Sequence, residues 1–371
     1  MQHISHSYQT IYSELAQRAL DGAFTSEFSA DGRFITAAVK GRRYWYFDMP
    51  DGQGGKKRTY VGPVDDPEVT KRVDNFKDLK SDIQERRKLV STLVRQAYLP
   101  RPERGVGEIV QALADAGFFR LRGVLVGTVA FQCYPAVLGV RLPRTAMVTA
   151  DADFAQFHSI SVAVEDQMPP VLETLKQVDP TFREIPHQND GRFTTQYTSR
   201  AGYKVEFLTP NTGSDEYGGR PAPMPSLGGA SAQPLRFLDF LIYNPIRAVL
   251  LHGAGVPVNV PAPERYAVHK LIVASRRRTD GDGTAKSRKD LAQAATIMEV
   301  MIAQHQAEDL AEVFIEAWER GPAWREAIRK SIRQIEDAAR TQIYTGLSHG
   351  IRNLEIDPAD LGLDKILENG E

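Results

Sequence analysis

The chain has 371 residues, 42% hydrophobic and 25% charged, with a formal net charge of -1. That is apolar material for two or three soluble domains, and the near-neutral balance excludes a uniformly basic nucleic-acid coat, so any polyanion contact has to come from a local patch. No apolar run reaches the ~18 residues that span a bilayer.

The first residues, Met1-Gln2-His3-Ile4, show neither the basic nor the apolar region of a signal peptide. The one cysteine, Cys133, allows no intrachain disulfide and stands among apolar residues, as a buried, inert thiol would. A cytoplasmic protein with no membrane partner is expected.

In chain order, residues 7 to 21 carry helical spacing in Tyr8, Ile11, Tyr12, Leu15 and Leu20. From about 32 to 63 the period changes to alternation broken by Lys40-Gly41 and a Gly-rich turn, predicting a three-stranded antiparallel meander. Its basic residues interleave with aromatics. Arg42, Arg43, Trp45, Lys57 and Arg58 are candidates for nucleic-acid contact, and the same pattern equally fits a solvated basic face over an aromatic mini-core.

Residues 67 to 97 predict one long helix stopped by Pro100-Arg101-Pro102. Beyond it the rhythm is helix from 107, strand from Phe119 to Val126, helix from Val129 to Leu138, and strand from Val148 to Phe154. A further helix (169 to 178), a strand pair at 192–198 and 203–208, a long Pro/Gly/Ser loop at 209–233 and a hairpin at 247–260 follow. About four helices end the chain. Gly281 to Ser287 has a P-loop flavour without the Gly before Lys, and reads as an interhelical loop. The division expected is 1–102 (meander and long helix), 103–260 (catalytic domain) and 261–371 (helical region).

The chemistry sits in Gly127-Thr128 and in Asp151-Ala152-Asp153. Carboxylates at i and i+2 of a strand share a face, and side by side they repel unless a divalent cation sits between them. Such hard oxygen donors suit Mg²⁺ or Mn²⁺. Glu206, an acid within an otherwise apolar strand, wants the same partner. Gly127 and Thr128, where a strand turns into a helix, offer N–H groups and a hydroxyl to phosphate; a simple cap role for Thr128 is the plainer reading.

Gly127, Thr128, Asp151, Asp153 and Glu206 resemble the signature of the DNA polymerase β-type nucleotidyltransferase superfamily. Within it the chain is most similar to predicted bacterial nucleotidyltransferases related to abortive-infection, toxin-type enzymes, with Thr149 ahead of the acidic pair, Lys270-Leu271-Ile272-Val273-Ala274 on a helix, and Lys289-Asp290 beyond. The resemblance covers roughly 105 to 300. It implies an α+β fold with a polymerase β-like mixed sheet, and Mg²⁺ (or Mn²⁺) on Asp151, Asp153 and Glu206 as catalytic residues and metal ligands. It also implies NTP held by Gly127, Thr128, Thr149 and Lys270, with transfer to an acceptor hydroxyl on RNA, a tRNA end or protein, under a possible antitoxin-like regulator. Lys289 and Asp290 can orient the Lys270 helix through a salt bridge, Arg141 and Arg144 can reach phosphate or serve only as loop residues, and His269 reads as a packing histidine. The competing reading is a non-catalytic nucleic-acid-binding or regulatory protein on the same fold.

Overall fold

The computed structural model describes residues 2–28, 32–50, 55–74, 76, 83–143, 147, 149–164, 166–211, 219–277 and 283–363, with backbone alone for 22–27 and 50. The chain opens with β1 (Gln2–His3) and α1 (His6–Glu27), then the meander β2 (Arg33–Val39), β3 (Arg42–Pro50) and β4 (Lys56–Pro63), paired in the order β2-β3-β4. Helices α2 (Pro67–Asp74) and α3 (Ile83–Arg95) stand where one long helix was expected; residues 75 and 77–82 lie outside the described residues. The two serve different cores. Val69 of α2 joins Phe28, Phe47 and Val61 of the meander, whereas Leu93 of α3 joins Leu15 of α1 and Val249.

Next come α4 (Arg104–Asp115), β5 (Val124–Val126), α5 (Gly127–Phe131), α6 (Tyr134–Val137), β6 (Val140–Arg141) and β7 (Asp151–Ala155). The strand expected from Phe119 starts only at Val124. Before it the chain winds through turns with Gly117 and Arg122 at positive φ, and Phe118 is driven into the core. The helix expected to run to Leu138 divides because Pro135 begins a new short turn.

Then follow α7 (His158–Ala163), α8 (Val171–Val178), β8 (Arg183–Pro186), β9 (Thr194–Thr198) and β10 (Lys204–Pro210). The long loop contains β11 (Ala222–Pro223) and β12 (Ser231–Leu235), whose β pairing its composition did not announce; residues 212–218 are outside the described set. After α9 (Leu238–Leu241) and the hairpin β13 (Ile246–Leu250) and β14 (Val256–Val260), five helices follow among the described residues in place of about four: α10 (Pro263–Arg276), α11 (Gly283–Ala303), α12 (Ala307–Glu319), α13 (Pro322–Ile332) and α14 (Asp337–Asn353). Residues 283–287, read as loop, form the first turn of α11.

The fold is mixed α+β. Its central sheet runs β11-β12-β10-β7-β5, with the β8-β9 hairpin paired to the first half of β10. β10 is parallel to β7 and to β12, and β5 is antiparallel to β7. One core runs from Val106 to Leu363, joining the sheet to the C-terminal helices. The meander docks at the end of β5 away from Gly127, where Arg120 donates to the Tyr60 carbonyl and pairs with Asp166. Among the described residues no helix is long and apolar enough to cross a membrane.

Candidate active site

Alternation fixes which face of the sheet carries charge. In β7, Ala152 and Phe154 are fully buried; in β10, Val205 and Phe207 are as well, with the Phe154 and Phe207 rings stacked at 5.8 Å. Their neighbours Asp151, Asp153, Lys204 and Glu206 project to the opposite face. A slip of one residue would bury the acids and expose the phenylalanines, so the apolar side holds the register. That register sets Asp151 against Lys204 and Asp153 against Glu206.

β5 brings in the turn. Val126 pairs with Asp153, and Gly127 follows at φ +67. A β-carbon at Gly127 would lie 2.3 Å from Asp153 Oδ2, so glycine is required both for the left-handed backbone and for the approach of the carboxylate. Gly127 and Thr128 open α5, where the first N–H groups have no intrahelical acceptor. Thr149 Oγ1 accepts the Asp151 N–H at 3.1 Å and closes the turn that starts β7.

Asp153 accepts no hydrogen bond among the described residues, and it is pushed up from 3.8 to about 7 by burial, then by the charges of Glu206 and Asp151; Lys270 and Arg277 oppose the shift. Glu206 is also raised, chiefly by burial, although Gln196 donates to its Oε1 at 2.9 Å. Among the described residues no group of three His, Cys, Asp or Glu side chains is gathered closely enough to hold a metal ion by itself. The donor set fits a hard cation in kind: oxygen ligands alone, and a carboxylate whose proton affinity is raised by burial and then by like-charged neighbours, a repulsion that a divalent ion would relieve.

Facing the acids, α10 presents Tyr266 and Lys270, four residues apart on one face. Lys270 is buried, donates to Asp290 Oδ1 at 2.5 Å and lies 5.2 Å from the centre of the Tyr266 ring. Arg277 donates to the other Asp290 oxygen at 2.9 Å. The expected salt bridge that orients the Lys270 helix is therefore made by Asp290. Lys289 is half-buried nearby, its ammonium held below the usual range by burial and then by Lys270. Tyr266 was not anticipated, although its spacing from Lys270 was a usable signal. Gln196 and Arg277 were missed as well, because their roles depend on tertiary pairing.

Other expectations resolve plainly. Burial presses His269 down to about 3 and lifts Cys133 to about 12, a neutral packing imidazole and an inert thiol. Arg141 donates to the Ala97 carbonyl and lies over the Tyr98 ring, so it is a structural residue; Arg144 is outside the described residues. In the meander, Arg42, Arg43 and Lys57 are exposed. Trp45 donates to Thr70 Oγ1 at 2.8 Å beneath α2, and Arg58 is paired with Asp48. A cleft of about 1300 Å³ between the N-terminal elements and the far end of the sheet, lined by Arg72, Arg120, Arg122 and His252 together with Asp66 and Asp115, includes none of Asp151, Asp153 and Glu206.

A mixed sheet carries the Gly-led turn beside the acidic strand pair, and with the surrounding helices it defines an α+β protein. The family model described as "Nucleotidyltransferase" matches residues 104–319, more than half of the chain, and the chain belongs to that family. No curated protein and no solved structure matches it.

Proposed function

We propose that the chain moves a nucleoside monophosphate from an NTP to an acceptor hydroxyl, using Mg²⁺ or Mn²⁺ held by Asp151, Asp153 and Glu206. The observation that carries this reading is Asp153: a carboxylate with no hydrogen-bond partner among the described residues, beside two other acids and against Gly127. A bound divalent ion would activate the acceptor hydroxyl and stabilise charge on the leaving pyrophosphate.

The chain's own residues do the rest. Gly127 and Thr128 hold the β and γ phosphates through backbone N–H and hydroxyl donors, and Thr149 keeps the head of β7 in place. Lys270, fixed by Asp290, adds positive field with Arg277 and Lys289. Glu206, oriented by Gln196, faces the acceptor. RNA, a tRNA end included, is the acceptor that the exposed Arg42, Arg43 and Lys57 support. A protein acceptor, a toxin-type or defence role and an antitoxin-like regulator rest on the sequence resemblance alone.

The test is incubation of the purified protein with each α-labelled NTP, Mg²⁺ and total RNA. Labelled RNA with wild type, lost in the Asp151→Ala/Asp153→Ala double variant, is expected. No label on RNA or protein with any NTP would overturn the proposal, and shortened, unlabelled RNA would point to phosphodiester hydrolysis.

A further inference from the structure

The β5–α5 turn is held from α10 as well as by its own short helix. Tyr266 of α10 is fully buried, and its hydroxyl donates to the Gly127 carbonyl at 3.0 Å. The same hydroxyl lies 2.9 Å from the position assigned to Oε1 of Gln293, also fully buried, on α11. A phenol has one proton, so both contacts are satisfied together when Gln293 turns its NH₂ toward the phenol oxygen, leaving the proton for Gly127. Three elements are thereby linked: α11 to α10 by Gln293 and Tyr266, and α10 to the β5–α5 turn by Tyr266 and Gly127.

We infer that Tyr266 is a positioning residue for the nucleotide phosphates, acting through the Gly127–Thr128 peptide. In a planar trans peptide the C=O and N–H point in opposite directions. A hydroxyl that pins the Gly127 carbonyl on the α10 side therefore helps to fix the Thr128 N–H on the other side, at a left-handed glycine with no side chain of its own to hold the backbone. Because Gln293 lies one turn along α11 from Asp290, which holds Lys270, the turn and the lysine are set by the same helix.

Tyr134 supplies an internal control. It is equally buried, its ring lies 5.0 Å from that of Tyr266, and its hydroxyl donates at 2.9 Å to a backbone carbonyl that the proposed site does not use, Pro261. Tyr266→Phe and Tyr134→Phe remove the same atom from the same core. Both are expected to lower the melting temperature similarly, by roughly 2–5 °C.

The inference rests on the nucleotide reading above, and binding separates the two. Each Mg²⁺–NTP is titrated calorimetrically into wild type, Tyr266→Phe and Tyr134→Phe. Tyr266→Phe is expected to weaken NTP binding on the order of tenfold, with Tyr134→Phe at wild-type affinity. Equal affinity in the two variants overturns the positioning role alone, while a wild type that binds no NTP overturns both it and the nucleotide reading.

Discussion

Asp290 and Asp153 both lie near Lys270 and Arg277 and are surrounded in opposite ways. Asp290 is buried with Lys270 on one oxygen and Arg277 on the other. Asp153 has Glu206 and Asp151 for neighbours and accepts no hydrogen bond among the described residues. The first arrangement is complete within the polypeptide; the second is the one that the proposed function would complete with a cation. A buried acid supplied with partners is structural, and one kept beside other acids carries a cost that folding alone does not explain.

Three substitutions sharpen this contrast. Asp290→Ala strands Lys270 in the interior and is expected to cost about 3–5 kcal/mol, read as a lower denaturation midpoint; an unchanged midpoint would erase the distinction. Asp153→Asn should do the reverse. Because the carboxyl is raised from 3.8 to about 7 in the fold, its protonated form is the one the fold prefers. The penalty is absent below pH 4, accumulates between pH 4 and about 7, and is constant above. The variant should therefore match wild type near pH 4 and exceed it by on the order of 2–4 kcal/mol at pH 8 without divalent cation, with Mg²⁺ closing the gap by stabilising wild type alone. The smallest effect is expected from Gln196→Leu, which frees Glu206 from its hydrogen bond: roughly a tenfold fall in transfer rate at unchanged NTP affinity, checked by steady-state kinetics.

The same contrast explains what was legible in the sequence. Asp151, Asp153 and Glu206 could be assigned to one face because strand alternation is local, and Ala152, Phe154, Val205 and Phe207 supplied the apolar counterpart. The Gly127 turn was legible as a break between apolar strand and helix. What could not be read were contacts between distant segments: Tyr266 on Gly127, Gln196 on Glu206, and Arg277 sharing Asp290 with Lys270. The meander's strands were readable for the same local reason, yet Trp45 was not separable from a base-stacking residue until α2 lay over it. The break-up of the expected Val129–Leu138 helix turned on Pro135, which fits the first turn of a helix as well as it ends one.

Asp153 and its two acidic neighbours are proposed to serve nucleotidyl rather than phosphoryl transfer. Labelling the NTP alternately at the α and γ phosphates, with total RNA as acceptor, tests it most directly in wild type and Asp153→Asn. The prediction is α-label on the acceptor, γ-label released, and both signals lost in the variant. Acceptor carrying γ-label, or α-label transfer undiminished in Asp153→Asn, would contradict it.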